Sequence, residues 1–253
     1  MKKTLAIILA MALLCIMAVG TTLSYFTDED FDQNTMTVGK VGITQKVNGN
    51  ENGVMSAPMF PVTAEPDDDG LVPEGNNGIN LNVVVSLKNN SQSAYVRTVF
   101  AFEMMWNGTK WVNPLELNTE DYTPVHYVVN NGVTIDFPKD NNEYLVIYKN
   151  SNGEYSANAT GATAAYVVGA YTYGELASNA TASSLKQVYL DSEVGNDFSD
   201  AIGGEYEILV LSQAVQTQGF AGAGGKTAAE VALDTAFGAI TAENATEIAK
   251  WFN

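Results

Sequence analysis

The sequence is short of the residues that most enzymes and metal proteins use. It contains one cysteine, Cys15, and one histidine, His126, among 253 residues. A single histidine excludes an HExxH zinc site and allows a Ser-His-Asp triad only if that triad is built on His126. A lone histidine in a strand-forming stretch is more often a packed or surface residue than a catalyst. We therefore expect no enzyme activity, no catalytic residues, no metal site and no cofactor, with a hydrolase as the least favoured alternative.

Basic residues are also scarce. The chain has 12 Lys and Arg against 29 Asp and Glu, a formal net charge of −17. Such a surface repels nucleic acid and anionic membranes, so we expect no nucleic-acid partner. The acidic stretches Thr27–Asp32 and Pro66–Leu71 lack the ligand spacing of an EF-hand loop. Solvated loops are the simpler interpretation of both stretches, and weak calcium binding is the alternative.

One long apolar run is present, and it lies at the N-terminus. The stretch MKKTLAIILAMALLCIMAVG has two lysines, then an apolar run too short to cross a bilayer comfortably. It predicts a signal peptide over residues 1–24, with cleavage between Ser24 and Tyr25. Leu14 before Cys15 disfavours a lipoprotein. We therefore expect a secreted protein without cysteine, stabilised by packing and not by disulfides.

Alternating apolar residues predict a mostly β protein. Apolar and polar residues alternate from Ile79 to Leu87 and again from Val96 to Met104, and we expect these two segments to pair as antiparallel neighbours. Shorter apolar runs separated by Gly, Asn, Ser and Asp follow at Val125–Val129, Tyr144–Tyr148, Tyr166–Tyr173, Leu185–Leu190 and Glu205–Val215. Many short strands separated by turn residues predict a jelly-roll-like β-sandwich, which we assign to residues 40–253.

Helix signals are confined to the C-terminal region. Thr227 and Glu230 have capping-box spacing, and Gly238 can end the helix that they begin. A second short helix is expected over Asn244–Phe252. The glycine-rich stretch before Thr227 is not a Walker A loop, because Phe220 occupies a position that must be glycine. We therefore expect short C-terminal helices appended to the β-sandwich.

Two tryptophans, Trp106 and Trp111, flank a predicted turn at Asn107-Gly108. A cross-strand aromatic pair is the simpler interpretation. A sugar-stacking platform is the alternative, and it would make the chain a monomeric extracellular module that binds carbohydrate or another protein.

The apolar phase changes near Gly39. Met36 and Val38 occupy even positions, whereas Val41 and Ile43 occupy odd ones. A bend at Gly39 would account for this shift and would let residues 25–39 point away from the domain. The alternative is a bulged edge strand that stays within its own subunit.

The N-terminal region resembles the TasA/camelysin family, the SipW-dependent exported biofilm-matrix fibre subunits of Gram-positive bacteria. The resemblance rests on SYFTDED at the expected cleavage point and on NTMTVGKVGI a few residues later. Two later stretches, LKNNSQSAYVRTVFAFE and EILVLSQAVQTQGF, are similar but less specific.

The resemblance implies a non-enzymatic structural subunit, cut by a dedicated signal peptidase and assembled by donor-strand complementation with copies of itself. The donor strand would complete the sheet of the next subunit, with Gly39 as the hinge, and accessory matrix proteins are possible further partners. The buried donor side chains would be Tyr25, Phe26, Met36 and Val38. Repetition of this contact would build fibres in the extracellular matrix or on the cell surface.

Overall fold

The expected mostly β fold is confirmed. The computed structural model describes residues 27–30, 41–51, 54–89, 91–116, 123–195 and 205–253, with the backbone alone for 27–30 and 54. The strands in these residues are β1 Thr27–Asp30, β2 Ile43–Val47, β3 Val54–Ala57, β4 Ile79–Asn80, β5 Val83–Leu87, β6 Ala94–Glu103, β7 Met105–Trp106, β8 Trp111–Val112, β9 Val125–Val129, β10 Lys139–Asp140, β11 Glu143–Tyr144, β12 Val146–Asn150, β13 Tyr155–Ser156, β14 Ala162–Leu176, β15 Thr181–Ser183, β16 Leu185–Leu190 and β17 Tyr206–Gln216.

The first layer is a large antiparallel sheet. Among the described residues it has seven strands in the order β1-β17-β6-β14-β12-β13, and β3 also pairs with β17. The centre of the sheet is formed by β6, β14 and β17, which are rich in β-branched and aromatic residues. Strands β6 and β17 are buried over most of their length, whereas β14 is buried in its middle part only. These residues favour strands because they pack well on a pleated surface.

The second layer contains two short sheets, β15-β5-β2 and β4-β16-β9. They are continuous through the backbone, because the Leu81 N–H donates to the Lys186 carbonyl at 2.7 Å and the Ser184 N–H donates to the Val83 carbonyl at 3.0 Å. Along the chain, the main strands cross repeatedly between the two layers, which gives the jelly-roll-like connectivity of the β-sandwich.

The main core lies between the two layers. Apolar residues at alternate positions of β6 and β17 pack against those of β4 to β5 and of β16, since alternate side chains of a strand share a face. The largest buried members include Phe100, Phe102, Ile208, Leu81 and Leu185.

The expected pairing of Ile79–Leu87 with Val96–Met104 is wrong. In the structure β5 pairs with β2 and β15, whereas β6 pairs with β14 and β17. The turn between them carries the chain from one layer to the other. Alternation marks a strand with a buried face, but it does not distinguish a hairpin partner from a strand in the facing sheet.

Two helices cover the outer face of the large sheet. These are α1, Ala228–Phe237, and α2, Ala245–Lys250, with a 3-10 turn at Ala242–Asn244 between them. The predicted capping box is confirmed, since the Glu230 N–H donates to Thr227 Oγ1 and the Thr227 N–H donates to the Glu230 carboxylate. Both predicted helices are therefore present. Within the described part of the chain, no helix is long and apolar enough to cross a membrane.

Candidate strand-exchange site at the edge of the large sheet

Within the described residues, strand β17 has one long partner and two short ones. On the side that faces the centre of the large sheet, β17 pairs with β6 along nine residues, from Ile208 to Gln216. Its other edge is shared by two strands from the N-terminal part of the chain. Strand β3 pairs with Tyr206 to Leu209, and β1 pairs with Ser212 to Val215. The edge of β17 is thus completed by pieces that are distant from it in sequence.

A buried glutamine lies where the two short strands leave a gap. In the described residues, Val210 and Leu211 of β17 face neither β1 nor β3 in the register. The Gln45 side chain, 2% exposed, donates from Nε2 to the Val210 carbonyl at 2.8 Å. Because a buried unpaired carbonyl costs about 1–3 kcal/mol, this contact stabilises the edge at the gap.

The same glutamine belongs to a buried chain of polar groups behind β1. Its Oε1 accepts a hydrogen bond from Ser212 Oγ at 2.6 Å, and Ser212 Oγ lies 2.8 Å from Thr98 Oγ1. The Thr98 hydroxyl is also 3.1 Å from the Tyr173 hydroxyl. Such a network tolerates few alternative arrangements, because each shift would leave a buried group unpaired. It therefore fixes the register of β17 at this edge.

The other face of β17 is tied to the helices by an arginine. Arg97 of β6, with a side chain 3% exposed, donates to Gln213 Oε1 at 2.7 Å and to Asp234 Oδ1 at 3.0 Å. It also donates to the Gly238 carbonyl at 2.9 Å, and its guanidinium lies over the Trp251 ring. The planar guanidinium suits a site that requires several hydrogen bonds and an aromatic contact at once. The half of β17 that receives β1 is thus held rigidly.

A cluster of ionisable groups spans the large sheet from β17 towards its far edge. The Glu207 carboxylate accepts hydrogen bonds from Lys149 Nζ at 2.8 Å and from the Tyr166 hydroxyl at 2.5 Å. The Glu207 N–H donates to the Glu103 carboxylate at 2.7 Å. Burial raises the pKa of Glu103 to about 7, and the neighbouring Glu207 carboxylate acts in the same direction. Burial also raises the pKa of Tyr166.

Strand β1 is a weak strand by sequence. Its residues are Thr27, Asp28, Glu29 and Asp30, and carboxylate residues are disfavoured in strands. It is four residues long, whereas β17 has eleven residues and is buried over most of its length. The acidic stretch that the sequence suggested to be a solvated loop is therefore paired with the chain's own sheet over these four residues.

The four side chains predicted to be buried by the donor strand, Tyr25, Phe26, Met36 and Val38, are not among the described residues. Signal peptide 1–24, the cleavage pair and the hinge likewise fall outside them, so these predictions stand as made for Ser24, Tyr25, Phe26, Met36, Val38 and Gly39. Only β1 within segment 25–39 is described. Sequence reasoning missed Gln45, although it continues the buried odd positions Val41, Ile43 and Val47 and is the one polar member of that series.

The other candidate residues have local structural roles. His126 Nε2 lies 3.1 Å from the Asp191 carboxylate, and the His126 ring stacks on Tyr189. The Asp67 carboxylate accepts the backbone N–H groups of Asp69 and Leu71, which closes a turn. In the part of the chain that the structure describes, no group of three His, Cys, Asp or Glu is arranged to hold a metal ion.

The geometry defines an antiparallel β-sandwich whose large sheet has one edge completed by a short N-terminal strand. Comparisons with family models, with curated proteins and with solved structures found no match to this chain.

Proposed function

We propose that this chain is a secreted structural subunit that polymerises into extracellular fibres by exchanging its N-terminal strand. The observation that carries the proposal is the edge of β17, which is completed by the short acidic strand β1. That strand belongs to residues 25–39, the segment that the change of apolar phase near Gly39 predicts to point away from the domain. The resemblance of the same segment to biofilm-matrix fibre subunits supports the proposal further.

Exchange requires little intrinsic free energy, because β1 would make the same contacts on a neighbour's β17 as on its own. A short strand without apolar residues loses little when it leaves, and an open edge binds the next available strand. The 12 residues 31–42 connect β1 to β2. Fully extended they span about 40 Å, which is long enough to reach an adjacent subunit.

The first experiment compares two forms of the purified protein by electron microscopy at high concentration. One begins at Tyr25 and the other at Gly39, so they differ only in the proposed donor segment. We expect filaments from the longer form alone, and filaments from both would show that the segment is dispensable. Persistent monomers from both forms would support the alternative of a monomeric binding module.

A disulfide placed across the strand pair separates exchange from simple association. Asp28 is directly opposite Ala214 in the register. Opposed residues in antiparallel strands have Cα atoms about 4.5–5.5 Å apart, within the range that a disulfide spans. The chain has no cysteine besides Cys15 of the expected signal peptide. A D28C and A214C double variant therefore reports on this contact alone.

Under the proposal, oxidation before assembly and oxidation after assembly should have opposite effects. Oxidation of dilute monomers should link β1 to its own β17 and prevent filaments, and reduction should restore them. Oxidation of preformed filaments should yield ladders of covalently linked subunits on non-reducing gels. Covalent monomers from oxidised filaments would show that subunits associate without exchanging β1. The single D28C variant is the matched control.

A further inference from the structure

An open groove of about 1190 Å³ lies on the large sheet's side of the molecule, away from the β17 edge. It is formed by the β7–β8 hairpin, by β11 and β12, by the residues around the start of β14, and by the start of α2. Its volume exceeds that of an ordinary small-molecule pocket, about 300–1,000 Å³. The groove therefore has room for an extended ligand of several units.

Four aromatic residues are part of the lining of this groove. Trp106 and Trp111 are opposed in the hairpin, as the cross-strand interpretation predicts, with ring centroids 5.2 Å apart in an edge-to-face contact. Trp106 is nevertheless 42% exposed, and among the described residues only Phe60 is another large hydrophobic residue with an exposed side chain. Tyr144 and Tyr148 also line the groove. An indole that is left exposed beside its partner offers a flat apolar face to a ligand.

Two residues that line the groove carry buried polar atoms. Asn113 is 9% exposed, and its Oδ1 accepts the Leu115 N–H, so its Nδ2 is fixed in orientation. That Nδ2 and the Tyr144 hydroxyl have no hydrogen-bond partner among the described residues. Because both atoms are buried, they do not themselves offer hydrogen bonds to a ligand in the open groove. The exposed polar side chains of the lining include those of Thr109, Lys110, Glu116 and Glu143.

The rest of the lining narrows the chemistry of the ligand. Most of the remaining apolar residues are alanines, which leave no deep pockets for the alternate side chains of a bound peptide: Ala157, Ala159, Ala162, Ala242 and Ala245. Glu116 and Glu143 outnumber Lys110 in the groove, and the whole chain carries a net charge of −17. This balance disfavours a polyanion.

We propose that this groove binds a neutral oligosaccharide chain. Pyranose rings have an apolar face that stacks on an exposed indole and a rim of hydroxyls that pair with hydroxyl, ammonium and carboxylate groups such as those of Thr109, Lys110 and Glu116. The groove combines these features along an open path. The site is distinct from the β17 edge, so it holds whether or not the chain polymerises, and its failure would leave the fibre proposal intact.

The first test is a titration of the exported chain with neutral hexasaccharides of glucose and of N-acetylglucosamine, followed by NMR of the indole N–H groups. The sequence contains three tryptophans. Trp106 and Trp111 lie in the groove, whereas Trp251 packs beside Arg97 and serves as an internal reference. We expect saturable shifts of the first two signals and none of the third. Shifts of Trp251 alone would place any binding elsewhere.

Two variants make the test decisive. Trp106→Ala removes the exposed indole and should weaken binding about tenfold, the equivalent of about 1.4 kcal/mol. Phe60→Ala is the matched control, because Phe60 is 61% exposed and does not line the groove. Equal affinity of the Trp106 variant and the unchanged chain would overturn the proposal. So would the absence of binding to every hexasaccharide at about 10 mM by a chain shown to be folded.

Discussion

The two edges of the large sheet are protected in different ways. At the far edge, β13 is joined to β12 by a local hairpin. Its outward groups are closed by Asn253, whose Oδ1 accepts the Tyr155 N–H at 2.7 Å and whose Nδ2 donates to the Tyr155 carbonyl at 3.0 Å. The side-chain amide therefore takes the place of a further strand.

Among the described residues, the β17 edge has no such local protection. It is covered by β1 and β3, and both come from distant parts of the chain. Asn253 follows α2 and is held in place by the buried residues Ile248 and Phe252. The Asn253 side chain therefore cannot move away from Tyr155 without disrupting this packing. Strand β1 has no comparable anchor in its acidic sequence. An unpaired edge is a template for another chain, so this difference makes the β17 edge the one more open to pairing with another strand.

One-sided exchange has a geometric consequence under the fibre proposal. Each subunit would donate β1 and accept β1 at different surfaces, which is a heterologous contact that does not close on itself. A closed far edge prevents competing edge-to-edge pairing. The comparison between the edges can therefore be tested by weakening each one in turn.

The largest expected effect concerns the ionisable cluster between the two edges. Glu103 has a pKa raised from 4.5 to about 7 by burial and by Glu207. The folded protein holds this proton more tightly than the unfolded chain does. The protonated carboxyl therefore stabilises the fold fully below about pH 4.5, and this contribution is lost as the pH rises to about 7. The loss amounts to about 3 kcal/mol.

Glu103→Gln tests this assignment. The amide keeps an oxygen that can accept the Glu207 N–H, but it does not titrate. Denaturant unfolding at about pH 5 and about pH 8 should show a drop in the free energy of unfolding for the unchanged chain and a much smaller drop for the variant. Glu154→Gln, at an exposed glutamate outside the cluster, is the control. Equal pH dependence in all three proteins would show that Glu103 is not responsible.

The second effect concerns the gap in the β17 edge. Gln45→Ala would leave the Val210 carbonyl and the Ser212 hydroxyl without their present partner, which should cost about 2 kcal/mol of stability. Hydrogen exchange should accelerate most in the half of β17 that pairs with β1. Lys46→Ala, at the exposed neighbour, should change neither measurement. If exchange accelerated uniformly over the chain, Gln45 would be an ordinary core residue and not a specific support of the edge.

The sequence predicts the layers better than it predicts their edges. Alternation marked Ile79–Leu87 as a strand, and the capping box at Thr227 marked α1, because both signals depend on residues close in sequence. The pairing of β1 with β17 and the cap on β13 by Asn253 join residues far apart in the chain. No local pattern encodes those contacts. The acidic composition of β1 even argued against a strand, and pairing with an otherwise open edge overrides that preference.

The third effect concerns the far edge. Asn253→Ala removes two hydrogen bonds to Tyr155 and should lower the free energy of unfolding by about 1 kcal/mol. It also exposes the backbone groups of β13, so filaments of the variant should associate laterally, as seen by electron microscopy. Lys250→Ala, at an exposed residue of α2, is the matched control. If the free energy of unfolding fell as expected but the filament width did not change, Asn253 would not be what prevents β13 from pairing with another subunit.

The smallest effect concerns the strength of β1 itself. Asp28→Thr combined with Asp30→Thr replaces disfavoured strand residues by a favoured one and should stabilise pairing with β17 by about 0.5–1 kcal/mol. Because the gain applies equally to the chain's own edge and to a neighbour's, the equilibrium between monomer and filament should hardly move. Release of β1 should become slower, so filaments should grow about two- to fivefold more slowly and also disassemble more slowly. Asp140→Thr, in the exposed two-residue strand β10, is the control. Faster growth of the double variant would mean that β1 is not paired with its own β17 before assembly. The β17 edge would then be open in the monomer, and β1 would not need to be released first.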